Sequence, residues 1–190
     1  MIKQIIIGIT GLTGSGKDTV AEYLKAKGFF YSSLSDRIRE ECAVRSLPTD
    51  RDNLIAVGND LREEFGHDVL AKKSLEKFIK EGIEKVILVS IRHPKEVEYL
   101  KSQSGFSLVA VETPIELRYK RNSQRGRPED TVSFEKFKEQ EEKERFGSEA
   151  QQQIDKVIAM ADFRLENNGT IEELNKQVEE ILGKIMVTSN

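Results

Sequence analysis

The sequence predicts an α/β fold, a five-stranded parallel sheet sandwiched in three layers, and three observations carry that expectation. Strand-like apolar segments alternate with helical periodicity along the chain. The first of them, Ile5-Ile6-Ile7-Gly8-Ile9, leads through Gly11-Leu12-Thr13-Gly14-Ser15-Gly16-Lys17 into the helix-like Asp18-Thr19-Val20-Ala21-Glu22-Tyr23-Leu24. Finally, the apolar runs are short and nearly continuous, as expected of strands buried on both faces.

Taken in order, strands are expected over Ile2 to Ile9, Phe29 to Leu34, Val86 to Ile91, Leu108 to Val111 and Phe163 to Leu165. Helices are expected at about 17 to 27, 36 to 46, 50 to 65, 68 to 81, 94 to 103, 114 to 123, 133 to 160 with a break, and 170 to 186. Gly28 and Gly82 sit where helix-ending glycines belong, and Thr170 with Glu173 three residues on forms a capping box for the last helix. Two regions break the rhythm. About fifty residues between Leu34 and Lys85 are helical without a strand, too many for a simple crossover. The stretch from Leu117 to Lys143 is highly charged, with Arg118, Arg121, Arg125 and Arg127 gathered around Gly126 and Pro128.

Composition narrows the class. At 190 residues the chain suits one domain, 1–190, and nothing in it reads as a linker. A net charge of −3 with interspersed signs gives no polyanion-binding surface, so nucleic acid is not an expected partner. Met1-Ile2-Lys3-Gln4 leads into a strand rather than a signal-peptide pattern, and no apolar run is long enough for a membrane span; the expectation is a cytoplasmic protein away from the membrane. Cys42 is the only cysteine and reads as a buried thiol, while His67 and His93 lie far apart in the sequence and give no metal-ligand pattern.

The glycine-rich stretch reads as a phosphate cradle. Gly11, Gly14 and Gly16 let backbone N–H groups converge, the following helix N-terminus adds partial positive charge, and Lys17 offers an ammonium to β- and γ-phosphates. Phosphoryl transfer needs mostly alignment and charge neutralisation, which arginines on a movable segment can supply. Arg118 and Arg121 share a helical face, and Arg125 and Arg127 flank a glycine; the plain alternative for all four is a solvated surface. Asp36 and Arg39 follow the second strand, at the edge where open α/β sheets bind ligands. Asp36 is thus a candidate base or magnesium ligand with Arg39 as acceptor anchor, or else an N-terminal helix aspartate with an i, i+3 arginine. Arg92 follows the third strand at the same edge, while Arg62 lies in the helical insertion among acidic neighbours.

With these residues in place, the chain resembles the nucleoside monophosphate kinase group of P-loop proteins, closest to its dephospho-CoA kinase-like and deoxynucleoside monophosphate kinase-like branches. The likeness rests on Gly16-Lys17-Asp18-Thr19, Leu34-Ser35-Asp36-Arg37-Ile38-Arg39, Leu61-Arg62-Glu63-Glu64-Phe65-Gly66 and Asp68-Val69-Leu70-Ala71. It continues through Ile91-Arg92-His93-Pro94-Lys95-Glu96-Val97-Glu98, Thr113-Pro114 with Arg118 and Arg121, and Ala161-Asp162-Phe163 to Asn167-Asn168-Gly169.

The resemblance implies a three-layer P-loop NTPase fold with an acceptor-binding insertion at about 35–82 and an arginine-bearing lid at about 118–145. It implies ATP with magnesium, bound by Gly11, Thr13, Gly14, Ser15, Gly16, Lys17, Asp18, Thr19, Arg118 and Asn168, the last in a loop near the donor's adenine. Catalysis is expected from Lys17, Asp36, Arg121 and Arg125, and acceptor contacts from Asp36, Arg39, Arg62 and Arg92. Two positions depart from the pattern. Asp18 stands where Ser or Thr usually contacts magnesium and becomes the candidate metal ligand, and Ser90 stands near where related sequences often carry an acidic residue.

The expected activity is therefore an ATP-dependent kinase for a nucleotide-like acceptor, either dephospho-CoA, whose hydroxyl needs a base, or a (deoxy)nucleoside monophosphate, which needs arginines. Two other readings stay open, a P-loop switch protein without a small acceptor and a kinase fold that binds nucleotide without transfer. No guanine-specifying Asn-Lys-x-Asp stretch supports the switch. The oligomeric state is left open.

Overall fold

The computed structural model describes residues 4–124, 132–146 and 153–188. The elements run β1 (Ile5–Thr10), α1 (Lys17–Ala26), β2 (Phe30–Ser33), α2 (Leu34–Val44), α3 (Arg51–Phe65), α4 (Val69–Glu81) and β3 (Lys85–Val89). They continue α5 (Pro94–Lys101), β4 (Phe106–Glu112), α6 (Ile115–Gln124), α7 (Phe134–Arg145), α8 (Ile154–Ala159), β5 (Phe163–Glu166) and α9 (Ile171–Thr188). The five strands form one sheet in the order β2-β3-β1-β4-β5, every pairing parallel.

Alternation along each strand divides the core between the two faces of the sheet. On one face Ile6, Val86, Leu88 and Leu108 pack with buried residues of α2, α3, α4, α5 and α8. On the other, Ile7, Ile9, Ile87, Val89, Val109, Val111 and Leu165 pack with α1 and α9. Cys42 is fully buried, in the first of these clusters. Gly8 in the central strand has a spatial reason: a Cβ there would come within 2.8 Å of both Ile91 Cδ1 and the Phe106 ring. The sheet face is so closely packed at this point that only hydrogen fits.

The expected elements are all present, with shifted boundaries. Leu34 opens α2 rather than closing β2, because Ser33 is a helix cap: its hydroxyl accepts from Ser35 N and its own N–H is taken by Asp36 Oδ2. β3 ends at Val89 because Ser90 takes φ 64°, which turns the chain out of the sheet. Gly82 ends α4 in the left-handed conformation, and Thr170 and Glu173 exchange the two bonds of a capping box ahead of α9. Three helices, α2, α3 and α4, fill the long stretch between β2 and β3. Among the described residues no helix is long and apolar enough to cross a membrane.

Gly8→Ala tests the packing reading. The added methyl forces Ile91 and Phe106 apart in a region with no slack, and chemical denaturation is expected to show a loss of about 1–3 kcal/mol.

Candidate active site

The strand order sets the carboxyl ends of β2, β3, β1, β4 and β5 side by side, and most of the candidate residues lie on or just after the turns leaving those ends. From β1 the chain enters the glycine-rich loop, where Gly11, Gly14 and Gly16 all have positive φ (145°, 79° and 97°). Each is also walled in. A Cβ on Gly11 would lie 2.5 Å from the Val111 carbonyl, one on Gly14 would lie 2.8 Å from the Arg118 carbonyl, and one on Gly16 would overlap the Asn167 amide. Asn167 Nδ2 donates to Ser15 O at 2.8 Å, and the Thr113 hydroxyl lies 3.0 Å from the same carbonyl. The loop is thus held from outside by the turns after β4 and β5. Within the loop, Ser15 Oγ is buried without a hydrogen-bond partner, and Lys17 Nζ donates to Leu12 O at 2.9 Å. Asp18 is exposed and Thr19 half-buried in the first turn of α1, and Thr13 lends its carbonyl to Arg118 Nη1 at 3.3 Å.

The two arginines of α6 separate in role. Arg118 is 3% exposed; Nε donates to Thr113 O, and the guanidinium forms a two-pronged pair with Glu141 of α7, itself 6% exposed. It ties loop, β4 turn and α7 together. Arg121, one turn on, places Nη2 3.3 Å from Asn167 Oδ1 and leaves Nη1 buried without a partner. Arg125 and Arg127 lie outside the described residues. Beside the loop opens a cavity of about 620 Å³ lined by Leu12, Ser15, Thr113, Pro114, Arg118, Arg145, Asp155 and Asn168, among others.

At the β2 end, Asp36 is the third residue of α2 and completes the capping box with Ser33, accepting from Ser33 N at 2.9 Å and from Arg39 Nη1 at 3.0 Å. The geometry of the plain alternative, a helix-start aspartate with its i, i+3 arginine, is therefore present, and it sits at the carboxyl edge of the sheet. Ser33 Oγ also meets Ser90 Oγ at 2.9 Å, joining the β2 and β3 ends. Burial, with the nearby charges of Asp18 and Asp36, holds the Tyr31 phenol above its ordinary range; the two carboxylates act on one hydroxyl although eighteen residues separate them in sequence.

At the β3 end, Arg62 does not pair with its acidic neighbours Glu63 and Glu64. Its side chain is 13% exposed, with Nη1 on Gly58 O at 3.2 Å and Nη2 3.7 Å from Glu96 Oε1. Glu96, at the third position of α5, is fully buried and accepts from Arg92 N at 2.9 Å and His93 N at 3.1 Å. His67 and His93, far apart in sequence, stack with ring centroids 4.6 Å apart. Among the described residues no three His, Cys, Asp or Glu side chains group as metal ligands.

Sequence reading passed over Glu96, Thr113, Asn167 and Glu141. His93-Pro94-Lys95-Glu96 carries a capping-box spacing that could have flagged Glu96. Asn167 stood beside the chosen Asn168, and only topology shows that Asn167 reaches the loop while Asn168 lines the cavity. Nothing local marks Glu141 as the partner of a residue 23 positions away.

A glycine-rich strand-to-helix loop at the carboxyl edge of a β2-β3-β1-β4-β5 parallel sheet defines a P-loop kinase fold. Residues 7–147 match the AAA_18 family, an AAA domain, and the chain belongs to it. It is also a UPF0200 protein: the UPF0200 protein of Thermococcus kodakarensis is 35% identical over 188 residues, 96% of this chain and 98% of that one. The UPF0200 protein of Sulfurisphaera tokodaii is 35% identical over 181 residues, 95% of this chain and 97% of its own. Among solved structures, shikimate kinase from Bacteroides thetaiotaomicron superposes with TM-score 0.59 at 14% identity, over 94% of this chain and 98% of that one. Dephospho-CoA kinase from Campylobacter jejuni gives 0.50 at 20% identity, over 96% and 98%. At such identities the likeness is one of fold.

Two stability predictions follow from the buried charges. Glu141→Ala strands Arg118 in a dry site and is expected to cost about 3–5 kcal/mol by denaturant titration, much of it restored by adding Arg118→Met. Burial raises the Glu96 carboxyl above its usual range, with Arg62 and the N–H groups of Arg92 and His93 pulling the other way. A folded-state value above the unfolded one means the contribution is most favourable below the unfolded pKa and is lost as pH rises through the folded one. Thermal melts should therefore show the wild type losing stability relative to Glu96→Gln as pH rises above the ordinary glutamate range, about 4.3.

Proposed function

We propose that the protein is an ATP-dependent kinase that transfers the γ-phosphoryl group to a nucleotide-like acceptor, with dephospho-CoA the first candidate. One observation carries this reading: the phosphate loop, Asp36 and Arg92 leave three neighbouring strand ends, β1, β2 and β3, along one edge of the sheet. A donor cradle and an acceptor-facing set of residues are thereby adjacent.

The residues present fit ATP. The glycine cradle has no room for side chains, the buried Ser15 hydroxyl lacks a protein partner, and Arg121 Nη1 is likewise buried and unpartnered. The cavity beside Leu12 and Ser15, bounded by Asn168, supports the donor's nucleoside part. Arg118 is engaged by Glu141 and Thr113, so its part is to brace the loop, and Arg121 with Arg125 is left for the transferred group. Magnesium, when bound, neutralises phosphate charge; Asp18 and Thr19 in the first turn of α1 would hold it, directly or through water. Lys17 holds the β- and γ-phosphates, Arg39, Arg62 and Arg92 orient the acceptor, and the helices between β2 and β3 with the charged segment after β4 close over both substrates. Asp36 takes the proton of an attacking hydroxyl.

A second reading, a (deoxy)nucleoside monophosphate kinase, draws on a specific feature: both Asp36 oxygens already accept hydrogen bonds, which suits an acceptor that needs no base.

The deciding experiment incubates pure protein with ATP, magnesium and a panel of dephospho-CoA and nucleoside monophosphates while ADP release is followed. Turnover stimulated by one acceptor is expected; slow acceptor-independent hydrolysis alone would sink the kinase reading in favour of a nucleotide-dependent switch. Lys17→Ala should abolish transfer. With a hydroxyl acceptor, Asp36→Asn should lower kcat about 10²-fold or more with little change in acceptor KM, whereas a monophosphate acceptor predicts near-normal kcat.

A further inference from the structure

We propose that Glu96 is a positioning residue which sets two acceptor-binding arginines, Arg62 and Arg92, from a single buried carboxylate; this rests on the kinase reading above.

The two oxygens of Glu96 act on different elements. Oε2 accepts the consecutive N–H groups of Arg92 and His93, which fixes the backbone from which the Arg92 side chain departs. Oε1 is buried, has no hydrogen-bond partner and lies 3.7 Å from Nη2 of Arg62, on a different helix. A capping glutamate needs only the first of these contacts, and it needs no burial. Glu96 is nevertheless 0% exposed. Its carboxylate therefore stands in the one place where it can hold the β3–α5 turn and α3 in fixed relation.

Arg62 is shaped to meet it. Its guanidinium crosses α3 over Gly58, with Nη1 on the Gly58 carbonyl. A Cβ on Gly58 would stand 3.3 Å from that Nη1 and 3.0 Å from Ile38 Cδ1, so a side chain there would press the guanidinium away. The His67–His93 stack adds a second contact between the same two corners, because His67 lies in the turn between α3 and α4 and His93 caps α5. Charge, backbone and ring contacts thus converge where the helical insertion meets the edge of the sheet. An anion bridging Arg62 and Arg92 would meet one arginine whose guanidinium faces this carboxyl and another whose backbone the same carboxyl holds.

Glu96→Gln keeps an oxygen for the two N–H groups and replaces the carboxyl oxygen facing Arg62 with an amide NH2. Steady-state kinetics on the full chain, with the acceptor the wild type turns over, are expected to show acceptor KM raised about tenfold or more, with ATP KM unchanged and kcat within about twofold. Combined with Arg62→Ala, the two effects on acceptor KM should be less than additive. An unchanged acceptor KM, full additivity, or a parallel rise in ATP KM overturns the proposal and leaves Glu96 a structural cap. Should Glu96→Gln fail to fold, Gly58→Ala gives the same test without disturbing a buried charge: it should raise acceptor KM in the same direction, and an unaltered value overturns the proposal. Failure of the kinase reading is distinct, since the wild type itself would then turn over no acceptor.

Discussion

The structure depends on a shortage of space around one turn. Gly11, Gly14 and Gly16 each adopt a backbone conformation that side chains rarely take, and each abuts a different neighbour: the end of β4, the α6 backbone and the turn after β5. The loop cannot be rigid by itself, since glycines lose the most conformational freedom on folding. It is made rigid by its walls. Asn167 and Thr113 hold the Ser15 carbonyl from one side, and Arg118 holds Thr13 from another. A cradle whose N–H groups must converge on an anion needs such external bracing, because preorganised dipoles are worth more than dipoles that must be ordered on binding.

The same logic explains why so much charge is buried at the carboxyl edge and so little elsewhere. Arg118 with Glu141, and Arg62 with Glu96, are taken nearly out of water, and neither pair is a cheap source of stability. The Arg118 pair is bidentate and joined by bonds to Thr113 and Thr13, so its desolvation is offset within the network. The Glu96 pair is looser, and burial outweighs its partners in shifting the carboxyl. A hydrophobic pair of like volume would serve the core at least as well. What an apolar pair would not supply is a fixed charge geometry between α3 and the β3–α5 turn.

The fold was legible because its signals are local. Apolar runs, the capping box at Thr170 and glycines at positions 28 and 82 all act within a few residues, and the predicted boundaries shift by a few residues, at Ser33 and Ser90 because those residues redirect the chain. The site was legible as a set of strand-end residues but not as a network. Arg62 read as an acceptor contact or equally as a surface ion pair with nearby acids, yet its partner is Glu96, reached only after β3 has entered the sheet. His67 and His93 looked unrelated and are stacked. Arg118 and Arg121 share a face by spacing, and it is the arrival of α7 and the β5 turn that makes the first a brace and leaves the second with an unpartnered N–H group. Pairings across 23 or more positions are set by topology, which periodicity does not encode.

Under the proposed kinase reading, Asp36 combines a structural role with a chemical one. Its pair with Arg39 is half in solvent, at 39% and 50% side-chain exposure, and exposed pairs of this kind are worth about 0–1 kcal/mol. Such a contact yields readily to a stronger anion. Under the kinase reading, a phosphate-bearing acceptor competes for Arg39, and success frees Oδ1 while Oδ2 stays anchored on Ser33 N. The cap bond then fixes the carboxylate's orientation, and the arginine's departure exposes the oxygen. Binding the acceptor and uncovering a base become one event, which makes the resting ion pair compatible with catalysis by a hydroxyl acceptor and equally with simple anion capture. The difference between the two acceptors therefore lies in whether the freed oxygen is used, and the resting arrangement of Asp36 is the same for both.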